Sequence, residues 1–281
     1  MQADFERRGI DSPRLDADLL VAHALGVKRL QLFLDPDRPL IEAELTAIRA
    51  LVERRRAREP VAYILGEREF YGRSFTVTRD VLIPRPDTET LVDAALSFLR
   101  ANTVAGPVVD LCTGSGAVAL TLAAECAGHA DGADRAWVAT DVSPAALALA
   151  EHNRARLGLA ERVSLRLGDL FAALEPESRF ACITINPPYI GTAELATLDA
   201  DVRDFEPRLA LDAGADALSF YRRIAAGAAR HLVPGGALMV EVGFGQAEAV
   251  TALFAQAGFG ELQSQRDLGG IERVVIGTKT N

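Results

Sequence analysis

The sequence predicts an α/β fold: a mainly parallel sheet with helices on both faces, preceded by a small all-helical domain and a β-hairpin linker. Two observations predict it. After about residue 105, short strand patterns alternate with helical ones, and such alternation implies crossover connections in a parallel sheet. Before about residue 60 only helical periodicity is visible. Composition agrees, since 49% of the 281 residues are apolar and 25% charged, the balance of a soluble globular chain. That length accommodates a catalytic domain plus a smaller one.

In the first segment Leu15, Leu19, Ala22 and Leu25 recur at helical spacing, and Ile41, Leu45, Ile48, Leu51 and Val52 keep to one helical face. Ser12-Pro13 opens the earlier helix and Gly26 closes it. Arg54-Arg55-Arg56, extended by Arg58 between Glu53 and Glu59, is expected as a solvated last turn favourable to the helix dipole. Next, Phe70-Tyr71 and Phe75-Thr76-Val77 flank a turn expected at Gly72-Arg73-Ser74. Ile83-Pro84-Arg85-Pro86-Asp87 is a stiff connection whose prolines disfavour helix until Asp87 caps one. The expected domains are therefore residues 1–68 (helical), 69–86 (hairpin and linker) and 87–281 (α/β).

Strands are expected at Pro107–Leu111, Ala136–Thr140, Val163–Leu167, Ala181–Ile185 and Ala237–Val242, and near Glu261–Arg266 and Arg273–Gly277. Helices are expected at Ala117–Cys126, Pro144–Leu157, Ala217–His231 and Gln246–Ala257. Several function classes are disfavoured. The net charge of −9 is opposite to what gripping a phosphate backbone requires, so stable nucleic-acid binding is not expected. No apolar run reaches the ~18–20 residues of a membrane span. The opening Met1-Gln2-Ala3-Asp4-Phe5-Glu6-Arg7-Arg8 lacks the apolar core and cleavage site of a signal peptide. Cys112, Cys126 and Cys182 are odd in number and without metal spacing, which fits a reduced, cytoplasmic chain. His23, His129, His152 and His231 are scattered, and no metal site is expected.

In an open α/β sheet, ligands bind outside the carboxyl ends of the strands. The first strand here ends in Asp110-Leu111-Cys112-Thr113-Gly114-Ser115-Gly116, where two glycines allow a tight turn and close approach to a ligand. Ala119 stands where a dinucleotide fingerprint has its third glycine, so the loop alone leaves a nicotinamide cofactor open. The second strand is followed by Asp141, a carboxylate placed to accept from both ribose hydroxyls of a nucleoside. Ser143 before Pro144 is the better helix cap, which leaves Asp141 for a ligand. Asp169, after the third strand, is expected near an adenine edge. The fourth strand ends in Asn186-Pro187-Pro188-Tyr189. Two prolines make a rigid corner without N–H groups. The Asn186 side-chain oxygen and the Pro187 carbonyl can then both accept from one –NH₂, with Tyr189 as a flat wall. Accepting both protons of a poorly nucleophilic amide nitrogen holds it in place and favours positive charge developing on it.

With these motifs the sequence resembles the PrmC/HemK family, methyltransferases that modify the glutamine of the Gly-Gly-Gln motif in class-1 peptide chain release factors. The resemblance rests also on Gly9-Ile10-Asp11-Ser12-Pro13-Arg14-Leu15-Asp16-Ala17 and Glu59-Pro60-Val61-Ala62-Tyr63-Ile64-Leu65-Gly66. Further matches are Phe70-Tyr71-Gly72, Leu82-Ile83-Pro84-Arg85-Pro86-Asp87-Thr88-Glu89, Phe205-Glu206-Pro207 and Glu241-Val242-Gly243. It implies a Rossmann-like class I S-adenosylmethionine-dependent methyltransferase domain, with the helical domain recognising a release-factor partner. It places S-adenosyl-L-methionine on Cys112, Thr113, Gly114, Ser115, Gly116, Asp141 and Leu170, and the glutamine amide on Asn186 to Tyr189. Asn186 and Asp169 are expected to border the cofactor as well. Cys112 stands where the family often has glycine, and Leu170 replaces a common aromatic. Ala213-Gly214-Ala215-Asp216-Ala217 departs from a more glycine-rich stretch, and the family's first helix is expected to be shortened. Cys112, with no histidine close in sequence, is read as packing rather than as a nucleophile.

Two other functions compete. An adenine-N6 methyltransferase acting on nucleic acid would use the same tetrapeptide and would need a basic groove and a base-flipping pocket. A non-catalytic module that keeps the cofactor fold would be expected to have lost Asn186 or Asp141, and both are present.

Overall fold

The computed structural model describes residues 1–102, 104–127 and 135–280. His129 therefore lies outside the described residues. The chain forms two compact units, Met1–Glu67 with Leu198–Phe205, and Arg68–Thr197 with Glu206–Asn281.

The first unit is helical: α1 (Gln2–Arg7), α2 (Pro13–Leu25), α3 (Arg29–Leu34), α4 (Glu42–Arg56) and α5 (Val61–Leu65). Helix α2 starts at Pro13 and ends where Gly26 turns left-handed, as the sequence predicts. Its apolar centre is small, with Phe5, Ile10, Leu20, Ile48, Val52 and Ile64 as principal members. The arginines at the end of α4 are only partly a solvated turn, since Arg54 is exposed but Arg55 is not. Arg55 is only 5% exposed. It pairs with Asp16 at 2.8 Å and with Asp201 at 2.7 Å, and donates to the Glu59 carbonyl at 3.0 Å. Arg54 pairs with Glu59, Arg56 with Asp4, and Arg58 with Asp201. Arg55 looks like surface from its own neighbourhood but is internal, because its acidic partners Asp16 and Asp201 lie elsewhere in the chain.

A hairpin follows, β1 (Glu67–Phe70) and β2 (Arg73–Thr76). Its turn falls on Tyr71-Gly72, both at positive φ, rather than on Gly72-Arg73-Ser74. That is the two-residue turn whose twist suits paired strands. After a 3-10 turn at Pro86–Thr88 comes α6 (Glu89–Ala101), then β3 (Val108–Leu111), α7 (Ala117–Glu125), β4 (Trp137–Asp141), α8 (Pro144–Arg156), β5 (Val163–Leu167) and β6 (Phe180–Ile185). A short α9 (Ala200–Arg203) belongs to the first unit. The second unit finishes with α10 (Ser219–Ala228), β7 (Leu232–Glu241), α11 (Ala247–Gln256), β8 (Phe259–Arg266) and β9 (Glu272–Lys279). Strand β7 begins earlier than its composition suggests, running through Pro234-Gly235-Gly236 beside an irregularity in its pairing with β6.

The sheet order is β5-β4-β3-β6-β7-β9-β8, with β9 antiparallel to both neighbours and the remaining pairs parallel. Period-two alternation divides the core. Val108, Ala139, Cys182 and Met239 pack with α6 and α7, whereas Val109, Val138, Ile183 and Leu238 pack with α10 and α11. Strand order reverses at β3, between β4 and β6. Such a switch point opens a crevice at the carboxyl ends of the strands.

Candidate active site

A cleft of about 420 Å³ lies at that switch point. Its walls include Asp110, Cys112, Thr113, Gly114 and Ser115 after β3, Asp141 after β4, Gly168, Asp169 and Leu170 after β5, and Asn186 and Pro188 after β6. Four strand ends expected to converge therefore do so. Gly116 caps α7 at φ +83°, and a Cβ there would meet Leu120 at 2.8 Å, so the close turn needs glycine. It stands just behind the loop residues that line the cleft.

The loop spends its own polar groups internally. Gly114 donates its N–H to Asp141 Oδ2 at 2.9 Å, and Gly116 donates to the Thr113 carbonyl at 2.9 Å. Those N–H groups are not turned toward a phosphate, and the loop faces carboxylates. This disfavours the pyrophosphate of a nicotinamide dinucleotide, the alternative that the loop sequence leaves open. Asp141 Oδ1 also accepts from Ser143 N–H at 2.9 Å, while the Ser143 hydroxyl caps α8 by accepting from Ala146. Asp141 is thus less free than its sequence context suggests. A carboxylate has about four acceptor sites, however, and capacity remains. Burial raises its pKa above the ordinary carboxylate value.

Asp110 and Asn153 are functional candidates that sequence reasoning passed over. Asp110 is 3% exposed and accepts from the Thr113 and Thr184 hydroxyls at 2.6 and 2.8 Å. Burial pushes its carboxyl up to about 7. Its signal was its place at the strand end, ahead of the glycines. Asn153 of α8 donates to the Ser115 and Thr76 carbonyls and accepts from Thr76 N–H, tying the glycine loop to the hairpin. It carries no local sequence signal.

At the far wall Asp169 is paired with Arg223, whose guanidinium lies 5.3 Å from the Phe220 ring centre. Phe220 and Arg223 of α10 both line the cleft, so an aromatic faces it from α10 although Leu170 is aliphatic. Cys112 and Leu170 sit at φ +58° and +48°, the left-handed region that disfavours a side chain. Burial raises the Cys112 thiol pKa well above its ordinary value, which suits packing rather than nucleophilic attack.

The tetrapeptide divides. Asn186 and Pro188 line the cleft. Pro187 is buried and not among the lining residues, and Tyr189 is half-buried against the core beneath. The Tyr189 carbonyl accepts from Gln246 Nε2 at 3.0 Å, and Ile190 exchanges backbone hydrogen bonds with Leu211 and Ala213. Thr192 donates to Gly214, so the Ala213–Ala217 departure borders the exit of this corner. Arg85 pairs with Glu206, whose other oxygen accepts from Ile83 N–H at 3.2 Å. The Ile83-Pro84-Arg85 and Glu206-Pro207 signatures thus meet at the rim.

Comparison with known proteins accounts for this arrangement. A family model described as the PrmC N-terminal domain matches residues 1–66, and one described as the methyltransferase small domain matches residues 88–201. A release factor glutamine methyltransferase of Geobacter sulfurreducens is 46% identical over 270 residues, covering 96% of this chain and 91% of the relative. One from Cereibacter sphaeroides is 47% identical over 268 residues, covering 95% and 91%. The chain belongs to the release factor glutamine methyltransferase family. A methyltransferase structure from Pyrococcus furiosus, 16% identical, covers 75% of this chain and 91% of its own with a TM-score of 0.51, a likeness of fold.

The family's methyl donor is S-adenosylmethionine, and the cleft suits it. Carboxylates at three strand ends, Asp110, Asp141 and Asp169, match a ligand that bears an aminium, a ribose diol, an adenine amine and a sulfonium charge. Val118, Val142, Leu170 and Phe220 supply apolar wall. Among the described residues no helix is long and apolar enough to cross a membrane.

Proposed function

We propose that this enzyme methylates the side-chain amide nitrogen of the glutamine in the Gly-Gly-Gln motif of class-1 peptide chain release factors, in the cytoplasm. The observation that carries the reading is that Asn186 shares one cleft with the glycine loop and Asp141. Family membership at 46–47% identity across nearly the whole chain supports the same substrate.

S-adenosylmethionine supplies a methyl group on a positively charged sulfur, activated for attack by a weak nucleophile. The remaining work falls to the chain. Asp141 and Asp169 are the proposed acceptors for the ribose and the adenine edge, with Cys112 to Ser115, backed by Gly116, and Leu170 forming the surrounding wall. Asn186 Oδ1 and the Pro187 carbonyl take one amide proton each, holding the glutamine nitrogen in line. Bonding of the nitrogen to the methyl carbon would break the carbon–sulfur bond and release a neutral thioether. The nitrogen meanwhile gains positive charge and then gives one proton to solvent, and two acceptors directed at it favour that charge. Pro188 shapes the wall of the corner, and Tyr189 serves it from behind rather than as an exposed face. Residues 1–68 are the proposed recognition domain, because one glutamine on a loop offers far less area than the ~1,200–2,000 Å² of a specific complex.

The tetrapeptide also suits an adenine amine, so the decisive experiment presents release factor and tRNA side by side with labelled S-adenosylmethionine. Label is expected in the release-factor glutamine alone. Incorporation into tRNA with none into release factor overturns the assignment.

A further inference from the structure

Behind the tetrapeptide lies an acid that none of the roles above uses. Glu241 closes β7, the neighbour of β6, and is 2% exposed. The Thr88 hydroxyl and the Asn186 carboxamide both face its carboxyl and favour its ionised form. Asn186 Nδ2 donates to Thr88 Oγ1 as well, at 3.3 Å. Three side chains from three elements therefore gather at one point: Thr88 at the start of α6, Asn186 at the end of β6, and Glu241 at the end of β7, the strand paired with β6.

We propose that Glu241 is a positioning residue that, directly and through Thr88, fixes which end of the Asn186 carboxamide faces the substrate. This rests on the reading of Asn186 as the amide clamp. A carboxamide has two ends of nearly equal shape, one that accepts and one that donates. Only the oxygen end holds a substrate –NH₂, and the flanking prolines do nothing to choose between them. An ionised carboxylate accepts only, so it takes the Nδ2 end. Thr88, having given its one proton to Glu241, presents only lone pairs to Asn186 and makes the same choice. Turning the carboxamide over would set Oδ1 against two acceptors and point N–H groups at the substrate's own N–H groups.

Burial pushes the Glu241 carboxyl up to about 7. Arg273 on β9 favours its ionised form and Asp87 before α6 opposes it, while burial keeps the Tyr189 and Tyr221 hydroxyls protonated. Oε2 of Glu241 has no hydrogen-bond partner among the described residues.

The test is a double-mutant cycle in single-turnover kinetics on release factor, with S-adenosylmethionine affinity and melting temperature measured alongside. Glu241→Gln and Thr88→Val are each expected to lower kcat on the order of 10- to 100-fold, with cofactor affinity and KM within about twofold of wild type. Neither loss should multiply with that of Asn186→Ala, because all three act on one group. Wild-type kcat should rise as pH passes through about 7, and Glu241→Gln should flatten that limb. If Asn186→Ala is crippled while Glu241→Gln keeps wild-type kcat, Glu241 has no positioning role and the clamp stands. If the losses multiply, Glu241 acts elsewhere and the proposal falls. A near-normal Asn186→Ala overturns the clamp and this inference together. Should Glu241→Gln fail to fold, Thr88→Val decides by the same criteria.

Discussion

Arg55 in the helical unit and Asp110 in the α/β unit are buried to nearly the same degree, 5% and 3% exposed, yet their surroundings differ in kind. Arg55 meets two carboxylates and a carbonyl, all within its own unit. Asp110 meets two hydroxyls, and its carboxyl is left near 7 at the wall of a cleft. A charge matched inside its own unit serves the fold. A carboxyl met only by neutral donors is held near its titration point and keeps part of its acceptor capacity for something that arrives later. The small apolar centre of the helical unit explains its reliance on the first kind of charge. The deep two-layered core of the sheet unit allows it to carry the second.

The largest test of that contrast is Arg55→Ala. Removing one partner of a buried ion pair leaves Asp16 uncompensated while Asp201 keeps Arg58, and the expected loss is about 3–5 kcal/mol. Hydrogen exchange should localise it to α2 and α4, with affinity for S-adenosylmethionine unchanged. A loss under about 1 kcal/mol would mean that the arginine is replaceable by solvent and that the contrast is false.

Asn186→Ala probes the other side. It is expected to lower kcat by about 10²–10³, equivalent to roughly 2.7–4 kcal/mol, with little change in melting temperature or cofactor affinity. Single-turnover kinetics on release factor check it, and a marginal loss would remove Asn186 from the chemistry. Asp141→Ala should weaken S-adenosylmethionine binding by roughly 1.5–3 kcal/mol, and Asp141→Asn by less. Part of that loss acts through the loop, because Asp141 also holds the Gly114 N–H. Calorimetry that finds unchanged affinity in both variants would move the ribose contact elsewhere.

The same contrast explains what was legible in the sequence. The α/β unit could be read strand by strand because alternation, glycines and strand-end acids are local signals. Expected and observed boundaries of α7, α8 and β3 to β6 agree within about one residue. Helix α10 and strand β7 were exceptions, α10 beginning at Ser219 and passing into a 3-10 turn at Ala229–His231, and β7 beginning already at Leu232. Arg55 was misread because its partners, Asp16 and Asp201, lie far away in the chain and nothing near Arg55 announces them. Asn153 was passed over for the same reason, and Glu241, noted only as part of a family-like segment, was given no role. Each acts on a loop or side chain that only the fold brings within reach. Tyr189 was read as a flat wall from its motif, and in the fold Gln246 holds its carbonyl while its ring packs on the core beneath.

The smallest test sharpens the contrast from inside the cleft, where backbone rather than charge carries the strain. Cys112 holds φ +58° and Leu170 holds φ +48°. A left-handed residue with a Cβ costs about 1–2 kcal/mol. Cys112→Gly should recover much of that, offset by the ~0.4–1 kcal/mol of extra freedom that glycine gives the unfolded chain. It also gives up the contacts of a half-buried thiol. A net gain of about 0.5 kcal/mol is expected, which at ~2–4 °C per kcal/mol for a domain of this size raises the melting temperature by roughly 1–2 °C. Leu170→Gly should do the reverse. Its side chain is buried at the cleft wall, and losing that burial costs about 2–3 kcal/mol, more than the strain relieved. Two left-handed residues at one site should therefore respond with opposite signs. If Cys112→Gly melts lower than wild type, the thiol packs more tightly than its half-burial indicates, and the turn prefers cysteine despite its backbone.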